Sequence, residues 1–202
     1  MGKQPHPCSV MPQLHGLILT GGRSRRMGQD KALMRLASKT LLECTHDLLQ
    51  ECLKSIYVSI KEDQIGDPVR AKFKLIIDKY NQSGPMAGIL SAHKIHPNSA
   101  WLVVACDMPW LDKQTLEQLM EERDAAFDAT AFNSPEDDLP EPLCAIYEPN
   151  LLSEILSNSN LLPTNSPRDL LMQSKVKVIN AKNPNALKNT NYPGDDLSEI
   201  ES

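Results

Sequence analysis

Two glycines, Gly21 and Gly22, close an apolar run at 14–19. Arg23, Arg25, Arg26 and Lys31 follow, four cations around one acid, Asp30. Glycine puts no bulky side chain between the backbone and a ligand. Backbone N–H groups of such a turn, with cations beside them and a helix start behind them, favour a bound anion, and phosphate fits best. The spacing predicts a helix-like segment that begins near Lys31. Neither common phosphate motif is present: there is no G-x-x-x-x-G-K-[ST], and G-x-G-x-x-G does not fit.

A second candidate lies after residues 100–106, an almost wholly apolar run that ends in Cys106-Asp107-Met108-Pro109. An acid there stands at the mouth of a buried strand. Mg²⁺ prefers oxygen ligands and keeps several waters, so one or two protein groups suffice to hold it. Asp107 is therefore a candidate metal ligand; the alternative is an aspartate that caps the turn before Pro109. Asp78 ends another short apolar run, 73–77. His15, His46, His93 and His96 have no triad or metal spacing and read as packing or surface residues. The five cysteines, Cys8, Cys44, Cys52, Cys106 and Cys144, are odd in number and form no C-x-x-C. They read as reduced thiols of a cytoplasmic protein.

The elements that must carry these groups alternate. Strands are expected at 14–19, 55–60, 73–77, 100–106, 128–132, 142–147 and 175–179. Helices are expected at 41–53, with Thr40 as cap, and at 89–95, 112–123 and 150–156. Another starts at Ser166-Pro167-Arg168-Asp169, and a short one begins near Gly194. Residues 1–13 read as a flexible lead-in and 14–202 as one domain. The alternation predicts a three-layer αβα sandwich with a mostly parallel sheet. Ligands of such sheets bind beyond the carboxyl ends of the strands. The Gly21-Gly22 loop, Asp78 and Asp107 all fall at that edge.

Composition narrows the function classes. The 202 residues are 41% apolar, 23% charged and only 4% aromatic, as in a soluble chain with an aliphatic core. A net charge of −5 argues against a general nucleic-acid binder, so the basic cluster at 23–31 reads as a local anion site. No apolar run is long enough to cross a membrane, and the N-terminus lacks the apolar core of a secretion signal.

The stretch Leu17-Ile18-Leu19-Thr20-Gly21-Gly22-Arg23-Ser24-Arg25-Arg26-Met27-Gly28-Gln29-Asp30-Lys31 resembles the signature of the MobA-like nucleotidyltransferases, L-[AT]-G-G-x-[SA]-x-R-M-G-x-D-K. Gly84-Pro85-Met86-Ala87-Gly88 is similar to the family's G-P-[LM]-A-G, and Cys106-Asp107-Met108-Pro109 to its C-D-x-P. Pro142-Leu143 with Ala145-Ile146-Tyr147 and Asn189-Thr190-Asn191-Tyr192-Pro193 resemble later segments. The resemblance implies a Rossmann-like fold of the nucleotide-diphospho-sugar transferase type that joins GTP to molybdopterin and releases pyrophosphate. It implies backbone contacts from Leu19, Thr20, Gly21 and Gly22 to the nucleotide, with Gly84 and Gly88 nearby. It also implies phosphate contacts from Lys31, Asp78 near the nucleoside and Mg²⁺ on Asp107. Asn189 and Asn191 come near acceptor or metal, Asn191 as a second candidate ligand. Three departures stand out: Ser59 where the pattern usually has asparagine touching the nucleotide, Tyr192 for threonine, and Glu141 before Pro142.

The chemistry implied needs no nucleophile on the protein. The acceptor phosphate is already an anion, and the barrier is repulsion between anions. Arg26, Lys31, the loop N–H groups and Mg²⁺ offset that repulsion. Asp107, Arg26 and Lys31 are thus the expected catalytic residues. Expected partners are GTP and molybdopterin, with molybdoenzymes or their chaperones downstream. The competing expectations are transfer from CTP or to another acceptor (2-phospholactate, a sugar phosphate), and a nucleotide-binding module without turnover.

Overall fold

The computed structural model describes residues 11–20, 30–79, 84–157 and 166–189. Strand β1, Leu14–Leu19, is buried on both faces beyond its first residue, as its unbroken apolar run requires. Asp30 then caps a 3₁₀ turn, Lys31–Leu33, by accepting from the Ala32 N–H at 3.1 Å. The helix-like segment expected near Lys31 is this single 3₁₀ turn. Met34 is extended, Ala37 has φ 50°, and the two short strands β2, Arg35–Leu36, and β3, Lys39–Thr40, pair as a ribbon. The local Asp30 bond closes a tight turn, and the ribbon ends it.

Helix α1, Leu41–Gln50, starts at Thr40 with a full capping box to Glu43. Strands β4, Ile56–Ile60, and β5, Leu75–Ile77, follow. Helix α2 spans Pro85–Ile95 and so starts four residues before the helix expected at 89–95; proline at its first position suits the helix start. Strand β6, Ala100–Ala105, is wholly buried. After it come α3, Lys113–Glu121, β7, Ala129–Asn133, and β8, Pro140–Tyr147. Helices α4, Pro149–Ser157, and α5, Pro167–Gln173, precede β9, Val176–Ile179. The short helix expected near Gly194 lies outside the described residues.

Among the described residues these strands form a seven-stranded sheet in the order β5-β4-β1-β6-β8-β7-β9. β1 is parallel to β4 and β6, and β8 alone runs against both its neighbours, β6 and β7. Side-chain alternation splits the core in two. Ile18, Leu102 and Val104 pack with Leu42, Leu49, Leu116 and Leu119 of α1 and α3. Leu17, Leu19, Trp101 and Val103 pack with α2, α4 and α5 through Ile89, Leu90, Leu151, Leu152 and Leu171. This is the αβα sandwich the alternation predicts. Residues 12 and 13, inside the expected lead-in, are tied to it: the Pro12 carbonyl accepts from Arg123 Nη1 at 3.0 Å and the Gln13 carbonyl from the Ala100 N–H at 2.9 Å.

Candidate active site

The carboxyl ends of β4, β1 and β6 lie side by side, with Leu19 opposite Ser59 on one flank and Ala105 on the other. Each strand delivers one polar feature to that edge. Thr20, buried just past β1, donates its hydroxyl to the Ser59 carbonyl at 2.7 Å. The Ser59 hydroxyl donates to Asp78 Oδ1 at 2.7 Å, and the Asp78 N–H donates to the Ile60 carbonyl at 2.8 Å. Burial pushes the Asp78 carboxyl above the usual carboxylate range, and the Ser59 hydroxyl and the Lys61 charge hold part of that rise back.

Two glycines let α2 reach this edge. Gly84, its cap, has φ 108° and ψ −169°, a conformation side chains rarely adopt. A Cβ on Gly88 would stand 2.3 Å from Ser59 Oγ and 2.9 Å from Leu19 Cδ2, so only glycine fits against β1 and β4 at this separation. Leu19, Thr20, Ser59, Asp78 and Gly88 thus form one contiguous patch, and Gly84 stands a turn before it.

Asp107 and Lys31 form the other half. Lys31 Nζ lies 3.1 Å from Asp107 Oδ2, with side-chain exposures of 17% and 26%. The lysine comes from the 3₁₀ turn and the carboxylate from the turn after β6, whose Cys106 N–H points to the Leu19 carbonyl at 3.4 Å. Cys106 itself is not a nucleophile: burial first, then the Asp107 and Asp30 charges, push its thiol up to about 12. A cation and a carboxylate held together at the head of a parallel sheet can bind an anion and a hard cation at once. The loop residues Gly21, Gly22 and Arg26 lie outside the described residues, as does Asn191.

Glu141, the second residue of β8, lies at the same edge, because β8 runs antiparallel to β6 and starts beside its carboxyl end, with Val104 paired to Cys144. It is buried, and burial raises its carboxyl above the usual range, opposed by the Leu143 N–H at 2.9 Å. Arg168 lies 3.5 Å from its Oε2 and also pairs with Asp137. Asn189 presents a buried Oδ1 with no hydrogen-bond partner among the described residues. The histidines are in packing contacts: His15 with Tyr57, His96 and Trp101, His46 against Phe73, and His93 bonded to Ser153 at 2.9 Å. Cys44, Cys52, Cys106 and Cys144 are free thiols.

Arg70 is a contact that the sequence does not announce. It sits in the Asp67-Pro68-Val69-Arg70 stretch of the 61–74 loop, yet it is buried and its Nη2 donates to Asp30 Oδ2 at 2.7 Å.

Residues 16–178 match the MobA-like NTP transferase domain. The chain belongs to the MobA-like NTP transferase family. A molybdenum cofactor biosynthesis bifunctional protein of Synechocystis sp. is 30% identical over 90% of this chain and 52% of its own length. The chain therefore spans about half of that relative. A probable molybdenum cofactor guanylyltransferase of Carboxydothermus hydrogenoformans is 28% identical over 84% of this chain and 83% of its own. The crystal structure of molybdopterin-guanine dinucleotide biosynthesis protein A from Archaeoglobus fulgidus is similar with a TM-score of 0.74 and 25% identity, covering 93% of this chain and 96% of that one. Among the described residues no helix is long and apolar enough to cross a membrane.

Proposed function

We propose that this MobA-like chain is a nucleotidyltransferase that moves GMP from GTP to the terminal phosphate of molybdopterin. A phosphate oxygen of the acceptor attacks the α-phosphorus of GTP, the bond from that phosphorus to the bridging oxygen breaks, and pyrophosphate leaves with the electron pair. The nucleophile is already anionic, so no general base is required of the protein. The apposition of Lys31 and Asp107 at 3.1 Å carries the reading, because it gathers a phosphate cation and a metal-type carboxylate at one point of the nucleotide edge.

Lys31, with Arg26, takes the phosphate charge, a stabilisation that grows as charge builds on the leaving group. Gly21 and Gly22 offer backbone N–H groups to the phosphates, and Leu19 and Thr20 line the nucleotide. Asp78, half-buried and hydrogen-bonded to Ser59, accepts from the nucleoside. The partly exposed carboxylate of Asp107 is a hard oxygen donor that suits Mg²⁺, and Asn189, whose amide oxygen is unpartnered among the described residues, and Asn191 are further candidates. When bound there, Mg²⁺ supplies charge neutralisation across the phosphates. Among the described residues no cluster of three or more His, Cys, Asp or Glu side chains gathers, which suits a metal that takes the rest of its ligands from substrate and water. The reaction fits a cytoplasmic enzyme drawing on the nucleotide pool and handing its product to molybdoenzymes or their chaperones.

The test is pyrophosphate release from GTP, CTP and ATP with molybdopterin and Mg²⁺. Release with GTP well above the others is expected. Preference for CTP reassigns the base, and nucleotide binding without release with any acceptor makes the chain a binding module.

A further inference from the structure

Arg70 is buried, with 2% of its side chain exposed, in a loop that is otherwise largely solvated. A guanidinium taken out of water is costly unless carboxylates or acceptors meet it. Two do. Nη2 donates to Asp30 Oδ2 at 2.7 Å, and Nη1 lies 3.6 Å from Asp67 Oδ2. Nε has no hydrogen-bond partner among the described residues. Asp67 fixes the other end of the arginine, accepting from the Arg70 N–H at 2.9 Å and the Val69 N–H at 3.1 Å. Gln64 Nε2 adds a weaker bond to Asp30 Oδ2 at 3.4 Å.

Asp30 divides its oxygens. Oδ2 faces this loop, while Oδ1 accepts from the Ala32 N–H at 3.1 Å and the Asp30 carbonyl accepts from the Leu33 N–H at 3.0 Å. The same residue therefore receives the guanidinium and caps the turn whose first member is Lys31. That turn sets where the lysine side chain begins, and its Nζ ends on Asp107. The Arg70–Asp30 pair lies close enough to Cys106, the residue before Asp107, that both its charges act on that thiol. The planar guanidinium divides its terminal nitrogens, Nη2 on Asp30 and Nη1 toward Asp67, so its rigid plane holds Asp30 in place relative to the loop, which a flexible ammonium does not.

We infer that Arg70 is a positioning residue for Lys31, acting through Asp30. The guanidinium orients the Asp30 carboxylate, the carboxylate closes the 3₁₀ turn, and the turn aims the lysine at the triphosphate. This deepens the transferase reading and rests on it for the role of Lys31. The 61–74 loop thereby acquires a mechanical role, since a surface segment remote in sequence from the signature stiffens that signature's last residue.

The experiment is a double-variant cycle. Arg70→Lys keeps the charge and loses the fork; Asp30→Asn keeps the cap acceptor and loses the ion pair. Each is made alone and with Lys31→Ala, and thermal unfolding identifies any variant that has lost its fold. GTP affinity with Mg²⁺ is read by calorimetry and turnover by pyrophosphate release. A misplacement of about 1 Å costs on the order of a hundredfold in rate. A loss approaching that is expected in kcat for either single variant, with the molybdopterin KM unchanged and no further loss once Lys31 is alanine. Losses that multiply in full on the Lys31→Ala background, or single variants as active as wild type, overturn the inference. A crystal structure of Arg70→Lys gives a readout independent of the reaction. Lys31 displaced from Asp107 supports the inference, and an unmoved contact overturns it. Absence of both GTP binding and release in the wild-type protein is failure of the transferase reading instead.

Discussion

Lys31 Nζ and Asp107 Oδ2, 76 positions apart in the chain, meet at 3.1 Å at the carboxyl edge of the sheet. One side chain suits a phosphate and the other a hard cation, so removing each should leave a different signature. Lys31→Ala and Asp107→Asn should each lower kcat by about 10²–10³, the usual loss for a preorganised electrostatic group. Asp107→Asn should in addition raise the Mg²⁺ concentration at half-maximal rate, and Lys31→Ala should not. Thermal unfolding should shift little in either, since both side chains are partly exposed. Steady-state kinetics across a Mg²⁺ titration checks this; wild-type turnover in a variant removes that residue from the mechanism.

Gly88 sets how closely α2 approaches the carboxyl edge of β1 and β4. Its missing Cβ would stand 2.3 Å from Ser59 Oγ and 2.9 Å from Leu19 Cδ2. Rotating the serine away relieves the worse clash only by breaking its 2.7 Å bond to Asp78. Gly88→Ala should therefore cost about 1–3 kcal/mol, the usual range for overpacking. It should also weaken GTP binding. Adding Ser59→Gly should recover part of the stability and none of the binding. Urea unfolding and calorimetry on the two proteins decide it; a Gly88→Ala protein with unchanged stability shows that the helix has room to retreat.

Most of the fold was legible because its signals are local. The apolar run of β6, the capping box at Thr40 and the Ser166-Pro167 start each act over a few residues, and all three elements form where their residues predict. The helix-like segment expected near Lys31 is held to one 3₁₀ turn for an equally local reason: Asp30, one position before the lysine, accepts from the Ala32 N–H. The site was legible as far as topology could carry it. Parallel strands bring their ends to one edge, which is why the Gly21-Gly22 loop, Asp78 and Asp107 are assigned to a shared region from the sequence. Side-chain pairing across loops has no such rule. Nothing in Asp67-Pro68-Val69-Arg70 separates a buried arginine from a solvated one, and the Arg70–Asp30 contact is fixed only by how the 61–74 loop folds back. The antiparallel entry of β8, which brings Glu141 to the same edge, was equally invisible, since a strand's direction leaves no trace in its own composition.

Glu43 gives the fold an acid-sensitive clamp. Its Oε1 accepts from Lys72 Nζ at 2.7 Å and its Oε2 from the Thr40 N–H at 2.9 Å, so the charged form is favoured and the carboxyl falls from 4.5 to about 2. The folded value lies below the unfolded one. The contribution to stability is thus full above about 4.5 and fades as pH falls toward about 2. Urea midpoints of the wild-type protein should fall over that interval, and Glu43→Gln should make the fall shallower while lowering the midpoint at pH 7. Parallel pH profiles for the two proteins show that the clamp contributes nothing.

Arg123 and Glu148 tie the far side of the sheet together. Nε and Nη2 of the arginine donate to Oε1 and Oε2 at 2.6 and 2.9 Å, and Nη1 donates to the Pro12 carbonyl at 3.0 Å. The side chains are 6% and 4% exposed, so neither charge has water to fall back on. Breaking a buried pair by removing one partner costs about 3–5 kcal/mol, because the other charge is left uncompensated. Arg123→Ala and Glu148→Ala should each lose that much in urea unfolding, and the two losses should be strongly non-additive in the double variant. The pair joins the segment before β1 to the turn after β8, at the end of the sheet remote from the carboxyl edge of β1 and β6. Turnover per folded molecule should therefore hold near the wild-type value below the unfolding transition. A drop in kcat at temperatures where circular dichroism shows the native fold intact would connect this buried pair to the transfer site.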